Sequence, residues 1–115
     1  RFQVSELKEL LNLLEEFRDE RDWGKFHDSK NLALALSIEA AELNELFLWK
    51  RETESENVDP EKLKEELADV FAYAIMLAGR HGFDVSEIVK NKIKKNANKY
   101  PVEKSRGISD KYDSL

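Results

Sequence analysis

An all-α fold, a bundle of four helices, is predicted by three observations. Apolar residues recur at three- and four-residue spacing through most of the chain, the period of a helix with one buried face. Start and stop signals punctuate those runs, with Asp59-Pro60 opening one, His81-Gly82 closing it and Tyr100-Pro101 ending the next. A composition of 41% hydrophobic and 37% charged residues is that of a soluble helical protein. With 115 residues there is material for one modest core and not two, so residues 1–115 are read as a single domain in which 102–115 form an extended tail.

The elements follow in order. Val4, Leu7, Leu11, Leu14 and Phe17 repeat at helical spacing between acids and bases, which predicts an amphipathic helix over about 5–20 whose role is packing. The stretch Asp22 to Ser29 is a loop by its glycine and polar content. It carries Trp23, Phe26 and His27 together, and such rings either plug the core or wall a pocket for a flat ligand. Ser29 is read as the N-cap of a second helix running to about Lys50. Arg51 to Asp59 is acidic, polar and aperiodic, hence a solvated connection. Asp59 then caps the third helix, with Pro60 at its first position. From Val70 to Ala78 that helix is apolar nearly all round, which predicts burial on every side and a homo-oligomer, dimer or tetramer, with this helix in its interface. Asp84 and Glu87 resemble a capping box for a fourth helix ending near Lys99. One side of it carries Lys92, Lys95, Asn96 and Lys99, an ordinary solvated face unless an anionic ligand is held nearby. The tail from Val102 to Leu115 has neither a helical nor a strand period.

Several function classes are excluded early. A net charge of -5 argues against non-specific nucleic-acid binding, which needs a basic face. No run is long and apolar enough to span a membrane, and the N-terminus lacks a signal-peptide pattern, so the expected location is the cytoplasm. With no cysteine there is no thiolate metal site or disulfide framework. The two histidines, His27 and His81, do not follow a glutamate by three residues, as a di-iron bundle requires. No glycine-rich phosphate loop is present, and nothing suggests covalent catalysis. Any catalysis must come from carboxylates and metal.

Two acidic pairs provide them, Glu39-Ala-Ala-Glu42 and Glu66-Leu-Ala-Asp69. Three-residue spacing sets each pair one turn apart on one side of a helix. Both border apolar stripes, the first beside Ala35, Leu46 and Trp49, the second beside Leu63, Leu67, Val70, Tyr73 and Ala74. Either pair alone is common surface decoration. If the two helices pack together, four carboxylates meet. Two such charges about 5 Å apart repel by about 3 kcal/mol at an effective dielectric near 20, so the cluster needs cations. An all-oxygen set suits hard ions such as Mg²⁺ or Mn²⁺.

With those residues in view, the chain resembles a known family. Arg21-Asp22-Trp23, Phe26-His27, Asn31-Leu32, Glu39-x-x-Glu42-Leu43, Leu46-Phe47 and Trp49-Lys50 look like the MazG-like all-α nucleoside triphosphate pyrophosphohydrolases, closest to their dCTP pyrophosphatase branch. The similarity continues through Glu65-Glu66-Leu67-x-Asp69-Val70, Tyr73, Lys92, Asn96, Tyr100-Pro101, Ser105-Arg106-Gly107 and Lys111-Tyr112. Many members double the acid at the start of the first motif, where this chain has Ile38 before Glu39. That difference bears on sub-family more than on activity.

The resemblance implies a four-helix protomer assembling as a dimer or dimer of dimers. It implies Mg²⁺-dependent hydrolysis of a nucleoside triphosphate to the monophosphate and pyrophosphate, dCTP or a related deoxynucleotide in the first place, as nucleotide-pool house-cleaning. Glu39, Glu42, Glu66 and Asp69 are then the metal ligands and catalytic acids. Trp23, His27, Trp49 and Tyr73 would line the base and sugar pocket, and Lys92 and Asn96 would meet phosphate or sugar. Either Glu45 or the second oxygen of a ligand would orient the attacking water. Trp49 is expected two helical turns beyond Glu42, about 10 Å along the axis. The competing readings are a dUTP or phosphoribosyl-ATP pyrophosphohydrolase of the same fold, and a non-enzymatic helical interaction module.

Overall fold

The structure is a computed structural model that describes residues 5–107. Helix α1 spans Glu6–Glu20, α2 Ser29–Glu45, α3 Pro60–Arg80, α4 Val85–Lys99 and α5 Val102–Ser105, with short 3-10 turns at Gly24–Phe26 and Ser55–Asn57. No strand occurs among the described residues. Four long helices match the predicted class. The chain divides into two compact units, Arg1–Gly82 and Phe83–Leu115. Of the sequence motifs, Val4 and Lys111-Tyr112 lie outside the described residues.

The first unit is held by α3, which packs against both α2 and α1. Its start is set chemically: the Asp59 carboxylate accepts from the Glu61 N–H at 3.0 Å, and Pro60 sits where its missing N–H costs nothing. Leu32 of α2, Ile75, Met76 and Ala78 of α3, and Val58 form the buried core. Gly79 leaves room for Leu11 of α1, since a Cβ there would meet Leu11 Cδ1 at 2.6 Å and Cδ2 at 2.7 Å. Two side-chain contacts tie the far ends together: Ser29 Oγ lies 2.8 Å from His81 Nε2, and Arg80 Nη1 donates to the His27 carbonyl at 3.3 Å.

Several boundaries differ from expectation. The N-cap of α2 is Asp28, whose carboxylate accepts from the Asn31 N–H at 2.8 Å. Ser29 is the first helical residue. A carboxylate three residues from the N–H it receives outcompetes the neighbouring hydroxyl for the helix dipole.

At its other end α2 stops at Glu45 and does not reach Lys50. The ladder tightens to i→i−3 bonds, Leu46 N–H to Leu43 O at 3.2 Å and Phe47 N–H to Asn44 O at 3.0 Å. Trp49 then adopts a left-handed backbone conformation, φ 65°. Trp49 therefore does not lie on the α2 axis. Within a single protomer the apolar run of α3 is buried on one side: Ile75, Met76 and Ala78 are inside, whereas Phe71 is 62% exposed. Met76 faces the protomer's own interior. The described part of the tail, residues 102–107, holds one turn of helix, α5, where Pro101 supplies a helix-entry φ of -57° and Glu103 lies in the first turn.

The second unit contains α4, opened by Asp84, whose carboxylate accepts from the Glu87 N–H at 3.0 Å. Ile88, Val89 and Ile93 are exposed along it.

Candidate active site

Helix α2 presents Glu39 and Glu42 and helix α3 presents Glu66, and the packing of these helices brings the acids together. One oxygen of each carboxylate lies within 4.8 Å of the others. Glu39 Oε2 and Glu66 Oε2 are both buried without a hydrogen-bond partner, an arrangement a folded protein rarely leaves unused.

The electrostatics register the crowding. Burial, followed by hydrogen bonding with Glu42 and the charges of Glu42, Asp69 and Glu66, pushes Glu39 up to about 7. Glu66 is raised as well, by burial first and then by Glu42 and Asp69. Asp69 stands outside the tight trio but close enough for both glutamates to feel its charge.

Asp69 also opens onto a cavity of about 270 Å³ between α1, α3 and the loop that follows α1. Phe17, Trp23, His27 and Tyr73 provide its aromatic walls, Leu14, Ala72 and Met76 its aliphatic ones, and Arg18 and Asp69 its charged ones. Phe17 and Trp23 meet edge to face with ring centres 5.7 Å apart, and His27 and Tyr73 do the same at 6.3 Å. The Arg21 guanidinium lies 3.6 Å from the centre of the Phe17 ring. Burial, with the Arg18 charge second, lowers the His27 pKa, which favours the neutral imidazole. Its Nδ1 is buried and without a partner. Burial, then Glu39, Asp69 and Glu42, raises the Tyr73 hydroxyl. Tyr73 thus belongs to the pocket wall and to the acids' electrostatic neighbourhood at once.

Among the predicted residues, Glu39, Glu42 and Glu66 converge, and Asp69, Trp23, His27 and Tyr73 share the adjoining cavity. Trp49 does not line it and is 91% exposed. Lys92 and Asn96 are exposed on α4, four residues apart and so on one face of that helix. Sequence reasoning missed Phe17 and Arg18, because α1 was assigned to packing alone. Their signal was their place near the end of α1, six and five residues before Trp23.

The chain is similar to proteins that are already known. Mouse dCTP pyrophosphatase 1 is 44% identical over 114 residues, which cover 95% of this chain and 67% of that protein. The human protein of the same name is 40% identical with the same coverage. The crystal structure of a pyrophosphatase from Archaeoglobus fulgidus is 42% identical, with a TM-score of 0.82 over 88% of this chain and 97% of that one. The model of the MazG-like family matches residues 34–115, a span that begins just ahead of Glu39 and holds both acidic pairs, so the chain belongs to the MazG-like family.

Proposed function

We propose that this protein is a nucleoside triphosphate pyrophosphohydrolase that converts dCTP, or related deoxynucleotides including modified ones, to the monophosphate and pyrophosphate. The observation that carries the reading is the junction at Asp69 and Tyr73, where a nucleoside-sized aromatic cavity meets a carboxylate cluster with two unpartnered buried oxygens. The mammalian relatives named for dCTP hydrolysis support the choice of base, and the role is removal of unwanted nucleotides from a cytoplasmic pool.

The acids fit a hard divalent cation. Three carboxylates, each with an oxygen within 4.8 Å of the others, and with Glu39 Oε2 and Glu66 Oε2 buried and lacking a hydrogen-bond partner, form an all-oxygen set of the kind Mg²⁺ takes, with Mn²⁺ as a substitute. Glu39, Glu42, Glu66 and Asp69 would hold it. Such an ion, when bound, neutralises triphosphate oxygens and acidifies water. The chain's own residues do the rest. Trp23 and Tyr73 offer faces and edges to a base, His27 offers a neutral ring nitrogen, and the apolar walls keep bulk water from the sugar. Trp49, Lys92 and Asn96 remain candidates for the sugar and phosphates, on the resemblance alone. Exposed Leu10, Leu13, Phe17 and Phe71 on α1 and α3 support assembly as a dimer or tetramer.

Incubation with Mg²⁺ and a panel of canonical and modified triphosphates, with products separated by chromatography, tests the reading. Monophosphate and pyrophosphate are expected, without a diphosphate intermediate. Glu66→Gln keeps the shape and removes one charge, and its turnover should fall about a hundredfold or more. Near-normal turnover in that variant would remove Glu66 from the site, and no hydrolysis of any triphosphate by the unaltered protein would favour the interaction module.

A further inference from the structure

Arg18 is a charged side chain in the wall of a nucleoside-sized cavity. It is held rather than mobile. Nε donates to Asp19 Oδ1 at 2.9 Å, and Nη2 lies 3.8 Å from Glu15 Oε2, an ion-pair distance too long for a hydrogen bond. The side chain is 25% exposed. The Arg18 carbonyl accepts the Trp23 N–H at 3.0 Å, so the residue and the main aromatic wall are fixed to each other. A guanidinium carries five N–H donors and no acceptor. Only Nε is spent on a hydrogen bond among the described residues.

The residues that share the cavity wall give its setting. His27 feels the Arg18 charge, whereas the causes that shift Glu39 and Glu66 are carboxylates and burial. Arg18 lines the same cavity as Trp23 and His27, whereas Glu39, Glu42 and Glu66, the trio within reach of one ion, are not part of that lining. Beside His27 its natural target is the base. We propose that Arg18 is a specificity-determining residue whose unspent N–H groups donate to a ring carbonyl oxygen of the base held against Trp23, with His27 Nδ1 as a second polar contact. Cytosine has such a carbonyl. Adenine has ring nitrogens and an amino group but no carbonyl oxygen, so it offers no acceptor where that oxygen would lie and leaves those N–H groups unpaired. This inference rests on the pyrophosphohydrolase reading above and adds to it a reason for base discrimination. The anchors on Asp19 and Glu15 matter because a donor already held in place loses little freedom on binding.

The test is kcat/KM for dCTP and for dATP with Mg²⁺, in the unaltered protein, in Arg18→Met and in Arg18→Gln. Methionine preserves the apolar stem and removes every donor. Glutamine keeps one N–H group and serves should the methionine variant fold poorly, as judged by its Tm. The unaltered protein should favour dCTP. Arg18→Met should lose about tenfold to a hundredfold on dCTP, mostly in KM, with dATP little changed, and Arg18→Gln should fall between. Equal losses on both substrates would overturn the inference, since they would mean that Arg18 supports the fold or meets phosphate, while the reaction assignment would stand. Failure of the unaltered protein to hydrolyse either nucleotide would overturn both.

Discussion

A shifted carboxyl makes its own prediction at the scale of the residue. Glu39 binds its proton up to about pH 7 in the folded chain, against an ordinary value of 4.5. Between those values the folded state holds more protons than the unfolded one, so stability falls as pH rises. The contribution is complete below pH 4.5 and is lost as pH climbs through about 7. Metal-free protein in chelator should melt at higher temperature near pH 5.5 than near pH 8, and Glu39→Gln should flatten that slope. A slope of equal size in the variant would show that the proton sits elsewhere. Trp49 carries a second prediction. A bulky residue at φ 65° costs about 1–2 kcal/mol in backbone strain, and burial returns nothing at 91% exposure. Trp49→Gly relieves the strain and restores chain entropy to the unfolded state, about 0.5–1 kcal/mol the other way. Its Tm should therefore be unchanged or slightly raised. If the indole serves the substrate, kcat/KM for dCTP should fall in the same variant; stability and activity both unaltered would leave the ring without a role.

Helices and their contacts answer differently to change. Alanine usually improves on glycine inside a helix by about 1 kcal/mol. At Gly79 the new methyl would come within 2.6 and 2.7 Å of the Leu11 methyls and 3.2 Å of its Cγ, so the leucine must move from its place in the α1–α3 contact. Overpacking of this kind costs about 1–3 kcal/mol, and it should win. Gly79→Ala is expected to lower Tm by a few degrees, as calorimetry would read, and a rise would mean that α1 shifts freely against α3. The same elements show what could be read in advance. Asp59-Pro60, His81-Gly82 and Asp84 each carry a local chemical reason to start or stop a helix, and those ends were legible. The end of α2 was not. Leu46 to Trp49 is as apolar as the helix before it, and only a change of hydrogen-bond partner, from four residues back to three, separates them. The pocket was half legible for a related reason. Phe17 and Arg18 sit on an amphipathic helix whose spacing states that a face is covered without stating whether protein or ligand covers it. The acids were legible because a carboxylate beside an apolar stripe demands a partner, and the structure brings three of the four within reach of one ion.

On the scale of the whole molecule, the first unit leaves much apolar surface in water. Leu10, Leu13, Phe17 and Phe71 are 46–62% exposed, and with Ala68, Ala72 and Ile75 they line a groove of about 480 Å³ on α1 and α3. A contiguous face of this kind is a liability in a lone protomer. Light scattering should find a symmetric oligomer at micromolar concentration, and Phe71→Lys should shift it toward monomer without unfolding it. A monomeric unaltered protein would refute the expectation that arose from the Val70 to Ala78 run. Met76→Lys is no test of assembly, because Met76 is 9% exposed and lies within the protomer; its effect would be on folding.

The two tryptophans have a further use. Trp49 is almost wholly in water, while Trp23 leans edge-on against Phe17 in a half-covered cavity wall. Their fluorescence must therefore differ, Trp49 emitting to the red and open to quenching by iodide, Trp23 emitting to the blue and partly shielded. With no third indole in the chain, Trp49→Phe leaves a single emitter inside the proposed base pocket. The molecule is its own optical titrator: nucleotide entering beside Trp23 would alter that one signal without any label, and the concentration at half-change would give the affinity directly.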